Sequence, residues 1–192
     1  MALGEYFAPT LIVARKGASW AWEQIYRDLY SPLFGFLRGV GPHGETEDLV
    51  SETFLNVARD IHTFDDNEGE FRAWVFTIAR RRAVDAWRAR GRTVETAELD
   101  PVELDQQRAG EDVEAEALSS IALIELGAVI NNLTATQREV LMLRVVADLT
   151  VKDTATAMEK SEGAVRVLQN RALHALRASL GLADPQKRSD GP

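Results

Sequence analysis

The sequence predicts an all-α protein built as two small helical domains joined by a flexible acidic linker. Apolar residues recur at helical spacing through almost every apolar stretch, and alternating strand patterns are missing. Helix start signals fall into two groups. Between the groups lies a stretch rich in Glu, Asp and Gln, bracketed by Gly91 and Pro101 and without aromatic residues. These observations divide the chain into residues 1–92, an acidic linker over 93–113, a second domain over 114–182 and a disordered tail over 183–192.

Residues 9–16 and 19–38 read as the first two helices, with Pro32 and Gly35 weakening the second. Gly39, Gly41, Pro42 and Gly44 then punctuate the chain. Thr46 is placed to cap a third helix that runs to about Ile61 and carries Leu49, Val50, Phe54, Leu55 and Val57. Asn67 with Glu70 three residues on opens a fourth, which continues to about Arg90. After the linker a helix is expected near 114–131. Thr134 with Gln137 then starts another, and Thr150 with Asp153 opens a short helix to about Met158. Ser161 caps the last, which reaches Leu180 and ends at Gly181. A short helix, a tight turn and a longer helix together form a helix-turn-helix signature.

Composition narrows the function. Among 192 residues, 45% are hydrophobic and 27% charged, which excludes wholesale disorder. Cysteine is absent, so disulfides, Cys-ligated metal centres and thiol nucleophiles are excluded. His43, His62 and His174 are too scattered to suggest a metal site. No apolar run approaches the roughly 20 residues of a membrane span and no secretion signal is evident, so a cytoplasmic protein without membrane insertion is expected. Nucleophile, Walker and dinucleotide motifs are missing, which points away from an enzyme and from any cofactor.

The net charge of −8 hides alternating blocks. Residues 45–70 hold nine acids and one base, whereas 71–92 hold seven Arg and one acid. On the last helix, Val165, Leu168, Ala172 and Leu176 fall on one face, while Gly163, Arg166, Val167, Asn170, Arg171 and His174 fall on the other. Guanidinium, amide and a small apolar group are the chemistry that reads base edges in a major groove. The alternative is a solvated face, which any bundle has.

In the Arg-rich helix, Arg72, Arg80, Arg81, Arg82, Arg88, Arg90 and Arg92 interleave with Phe71, Trp74, Phe76 and Trp87. That mixture suits single-stranded nucleic acid, where phosphates need cations and unstacked bases need aromatic faces. It equally suits core aromatics beneath a snorkelling surface, and periodicity does not separate the two. The acidic residues Asp48, Glu52, Asp65, Asp66, Glu68 and Glu70 make a weak case for a metal and a better one for a solvated or protein-docking face.

Four segments carry a resemblance to a known family. Residues 47–55 (EDLVSETFL) and 71–80 (FRAWVFTIAR) resemble conserved region 2 of sigma factors of the extracytoplasmic-function (ECF) class. Residues 133–144 (LTATQREVLMLR) and 161–177 (SEGAVRVLQNRALHALR) are similar to the start and the recognition helix of sigma region 4. The resemblance covers about 19–90 and 115–181, and it leaves no room for a region 3 domain.

What the resemblance implies is a transcription initiation factor. Region 2 would bind the β′ clamp helices of core RNA polymerase through Asp48, Leu49, Glu52 and Phe54. Phe71, Trp74, Thr77, Arg80, Arg81 and Arg88, with the loop at 63–70, would capture the melted −10 element by base flipping. Region 4 would meet the β flap and read the −35 duplex through Arg166, Val167, Asn170 and Arg171. The resemblance further implies control by an anti-sigma factor. Arg81 stands where many relatives have Asn, and Val167-Leu168-Gln169 replaces a common Ser-Arg-hydrophobic run. The competing reading is a stand-alone helix-turn-helix regulator, which would bind duplex tightly without polymerase, usually as a dimer.

Overall fold

Short-range chemistry sets most of the helix boundaries in the computed structural model, which describes residues 4–64, 67–93, 130 and 132–181. After a single 3-10 turn, α1 spans Phe7–Ala14, with Pro9 in the first turn, where its missing N–H forfeits nothing. Helix α2 spans Ser19–Val40, α3 Thr46–Asp60 and α4 Glu68–Thr93. Next come α5 (Ala135–Leu141), a π-helical turn (Met142–Val146), α6 (Val151–Met158) and α7 (Glu162–Ser179). The expected helix near 114–131, the linker and the tail lie outside the described residues, apart from Ile130.

The Thr134 hydroxyl accepts from Gln137 N–H and the Gln137 side chain answers the Thr134 N–H, closing the expected capping box. Asn67 accepts from Glu70 N–H, and Ser161 from Ala164 N–H. Thr150 caps α6 by accepting from Asp153 N–H, while its hydroxyl donates to the Asp153 carboxylate at 2.6 Å. The cap assigned to Thr46 is a correction. Thr46 is the first helical residue, and Glu45 precedes it with its carboxylate bound to Arg90 at 2.7 Å.

Helix α2 passes through Pro32 and Gly35 unbroken, against the weakening its sequence suggests. Ile25, Leu29, Leu33, Phe36 and Leu37 are all buried along it, and that packing outweighs the hydrogen bond proline cannot make. Phe36 meets Phe76 of α4 edge-on, with centroids 5.4 Å apart and planes at 85°. Helix α4 buries Phe71, Ala73, Val75, Phe76, Ala79 and Ala83, which at 100° per residue spread over about 200° of its circumference, wider than an ordinary stripe. It is enclosed by α2 and α3 on one side and by α6 on the other.

The second helical unit therefore packs on the first. Gly35 and Gly39, one turn apart on α2, leave a groove that receives the π-helical turn. A Cβ at Gly35 would sit 2.7 Å from Val146 Cγ1, and one at Gly39 2.5 Å from the Met142 methyl. Leu143, Leu149, Ala157, Met158, Val165 and Ala172 fill the second unit's interior, continuous with the core of the first. Every Trp, Tyr and Phe of the chain lies before residue 94. No described helix is long and apolar enough to cross a membrane.

Candidate nucleic-acid interface

Helix α7 is held by what precedes it. The two bonds Glu159 N–H to Thr156 O and Lys160 N–H to Ala155 O close α6 in a Schellman turn, with Glu159 in the left-handed region at φ 54°. Glycine is the usual residue there, because a Cβ strains that conformation. Arg144 from the π-helical turn donates to the Leu149 carbonyl and to Gln169 of α7, fastening the helix to its support.

Val165 and Ala172 are buried beneath α7, with Leu168 and Leu176 half-buried beside them. Arg166, Val167, Asn170 and Arg171 are all exposed. Val167 is 50% exposed, a hydrophobe held in water on an otherwise polar face. Arg166 is drawn back to Glu162 at 2.9 Å, an i,i+4 pair on the same exposed surface. The structure thus brings the four sequence-chosen residues to one open row on the second helix of a helix-turn-helix.

Helix α4 is different. Phe71 is only 2% exposed, wedged between Phe7 of α1 and Phe64 with both centroids 5.3 Å away. Its placement among base-contacting residues is corrected: it is core, with no face to offer a base. Trp74 is half-buried and stacks on Phe64 at 5.5 Å and 26°. The Thr77 hydroxyl donates to the Ala73 carbonyl one turn back. Arg88 is exposed with Asp85 at 3.4 Å.

Three further guanidiniums of α4 are engaged across the chain. Arg72 binds Asp28 at 2.8 Å and the Ala147 carbonyl at 3.4 Å. Arg80 binds the Glu139 carboxylate of α5, and Arg81 the Glu159 carboxylate at 2.9 Å. Lys152 of α6 returns a bond to Glu70 at 2.9 Å. The hydrogen bond from Arg81, with the added charge of Arg80, holds the Glu159 carboxyl below its ordinary value.

The third surface lies on α2 and α3. Asp48 and Glu52 are exposed along α3, and Phe54 is half-buried against Tyr26 at 4.7 Å. Leu49 is 4% exposed, so it supports this face from below and is corrected as a contact residue. Sequence reading missed Tyr26 and Tyr30, whose rings continue the face at 5.2 Å from each other, and Leu55, which is 70% exposed. The available signal was the i, i+4, i+8 series Tyr26, Tyr30, Phe34 on α2.

Comparison with known proteins agrees with this geometry. The family described as Sigma-70 region 2 matches residues 25–93, and Sigma-70, region 4 matches 129–178. The ECF RNA polymerase sigma factor ShbA of Streptomyces griseus is 35% identical over 136 residues, covering 69% of this chain and 70% of that protein. BldN of Streptomyces coelicolor, also an ECF RNA polymerase sigma factor, is 33% identical over 85% of this chain, which spans 61% of its length. The solved structure of CnrH in complex with the cytosolic domain of CnrY superposes with a TM-score of 0.65 at 22% identity, covering 90% of this chain and 95% of that one. The sigma factor RpoE of Bartonella quintana, in complex with the anti-sigma factor NepR, gives 0.64 at 23%, covering 85% and 98%. With both regions present in order and a relative this similar, the chain belongs to the ECF RNA polymerase sigma factors of the sigma-70 family.

Proposed function

We propose that this chain binds core RNA polymerase and directs it to promoters with −35 and −10 elements, helping to melt the latter. The observation that carries the reading is the open row Arg166, Val167, Asn170 and Arg171 on the second helix of the region 4 helix-turn-helix. Arg suits the guanine edge, Asn the adenine edge and Val the thymine methyl. Region 4 would also meet the polymerase β flap. In region 2, the surface of Asp48, Glu52 and Phe54, widened by Tyr26, Tyr30 and Leu55, would dock the β′ clamp helices.

Trp74, Thr77, Arg80, Arg81 and Arg88 would serve the unpaired −10 strand, with Trp74 as the stacking surface. Region 2 would then occupy 1–92 and region 4 114–182, separated by an acidic linker. The protein would act in the cytoplasm as a non-catalytic subunit. Two neighbours of like fold were solved with partners, CnrH with the cytosolic domain of CnrY and RpoE with an anti-sigma factor, which supports an anti-sigma partner here.

Transcription in vitro on fragmented genomic DNA, with purified core polymerase and with or without this protein, tests the proposal. Discrete start sites that need both components are expected, and their upstream sequences would define both elements. Absence of such starts, with tight duplex binding by the chain alone, would replace the proposal with a stand-alone regulator.

A further inference from the structure

We propose, resting on the promoter-directed reading above, that α1 is a brace for −10 capture, with Arg15 and Phe7 as positioning residues for the turn before α4 and for Trp74. Helix α1 ends at Ala14, ahead of the residues 25–93 that match region 2. Contacts from this short segment converge on both ends of one connection, that between α3 and α4. Ahead of it, Arg15 Nε–H donates to the Ile61 carbonyl at 3.3 Å, in the 3-10 turn Ile61–Thr63. Beyond it, the Gly4 N–H donates to the Glu68 carboxylate at 2.8 Å, at the first residue of α4. Phe7, only 5% exposed, sets its ring 5.3 Å from that of Phe71. The end of α1 is itself anchored to α2, where the Trp22 indole N–H donates to the Ala14 carbonyl at 3.0 Å.

Phe71 carries the contact onward. Its ring stands 5.3 Å from Phe64 and 5.7 Å from Trp74, and Phe64 stacks on Trp74 in turn. The four rings form one cluster, in which Phe7 and Phe71 are buried while Trp74 keeps part of its surface exposed. Burial of α1 for stability needs only an apolar face, which Phe7, Leu11 and Ala14 supply. The polar contacts at Ile61 and Glu68 go beyond that need, and both are directed at the ends of the same connection. Pulling a base out of the stack is costly, and a receiving surface not already ordered adds the entropy of fixing its side chains. A brace that orders Phe64, Phe71 and Trp74 beforehand removes that addition from the melting step. It leaves the first docking on duplex alone, because the named contacts involve neither the row on α7 nor Asp48, Glu52 and Phe54.

The test uses the full chain with core polymerase on a promoter that the wild type uses, carrying a fluorescent base analogue in its −10 element. Opening traces over a range of holoenzyme concentrations separate the constant for initial binding from the rate constant of opening. The double variant Phe7→Leu/Arg15→Met, which keeps apolar bulk but loses the ring and the donor, should open about tenfold more slowly with initial binding unchanged. Arg15→Met alone should show part of that loss, and Arg15→Lys, which keeps a donor, should restore the wild-type rate. A role in stability alone predicts something else, less active holoenzyme and a smaller signal amplitude with the rate constant of opening intact.

Hydrogen exchange of the free chain supplies the second readout. Amides over 61–64 and 68–74 should exchange faster in the double variant, while those of α7 keep their wild-type rates. An unchanged opening rate in the double variant would overturn the brace, as would a loss confined to initial binding. Unchanged exchange over 61–64 and 68–74 would overturn it equally, and that measurement contains no polymerase. Absence of any start sites with the wild type would strike the promoter-directed reading instead, so the two fail separately.

Discussion

Helix α4 and helix α7 are the two basic helices of this chain, and they use their charge in opposite ways. By density, α4 looks the stronger ligand for nucleic acid, with seven Arg over 71–92 against three on α7. Yet Arg72, Arg80, Arg81 and Arg90 of α4 reach carboxylates more than 40 residues away in sequence. On α7, Arg166 pairs among the described residues with Glu162 one turn back. A long helix in the middle of a bundle must be tied to neighbours on several sides, and arginine does that with its apolar stem as well as its charge. Charge density alone therefore marks where a helix is fastened as readily as where it meets DNA.

Substitutions on the two helices should separate these uses. The largest effect is expected from Phe76→Ala, which empties a fully buried site against Phe36 and should cost about 3–5 kcal/mol, read as a fall in melting temperature. Arg72→Ala comes next. It leaves the Asp28 carboxylate, 8% exposed, without its guanidinium and should cost about 3 kcal/mol in the same melting experiment.

Arg171→Ala should leave the melting temperature unchanged, since the side chain is exposed, but weaken promoter recognition by about 1–3 kcal/mol. Transcription from the cognate promoter should drop about 5- to 150-fold. Full activity in the Arg166→Ala/Arg171→Ala double variant would break the assignment of α7.

The smallest effect concerns acid. The folded-state pKa of Glu159 is depressed from an ordinary value of 4.5, with Arg81 and Arg80 facing it from α4. The contribution of its pair with Arg81 to stability is therefore complete above that value and is lost as pH falls through the depressed one. The difference in melting temperature between the wild type and Glu159→Gln should shrink in that range.

Legibility in the sequence followed the range of the interactions. Caps at Asn67, Thr134, Thr150 and Ser161 span three residues and could be read directly, as could the inward and outward faces of α7. Thr46 misled because a partner 45 residues beyond Glu45, Arg90, decides what happens at that helix start. The periodicity of α4 was ambiguous for a physical reason: the helix buries residues toward both units, so no single stripe exists to find. Gly35 and Gly39 read as weakness or punctuation, although their four-residue spacing is what a close helix contact requires. The pairs from Arg80 and Arg81 to region 4 join residues 59 and 78 apart, and no local pattern announces them.

The confinement of every aromatic ring to the first 93 residues makes the molecule optically one-sided. Tryptophan emission and near-ultraviolet dichroism see the first helical unit alone, while far-ultraviolet dichroism sees the helices of both units. Region 4 can melt without changing any chromophore's own domain, and Trp87, whose indole N–H donates to the Val40 carbonyl at 2.8 Å, will keep reporting an intact bundle. A gap between the two spectroscopic melting curves would thus measure, in the unlabelled wild-type protein, how far the units unfold independently.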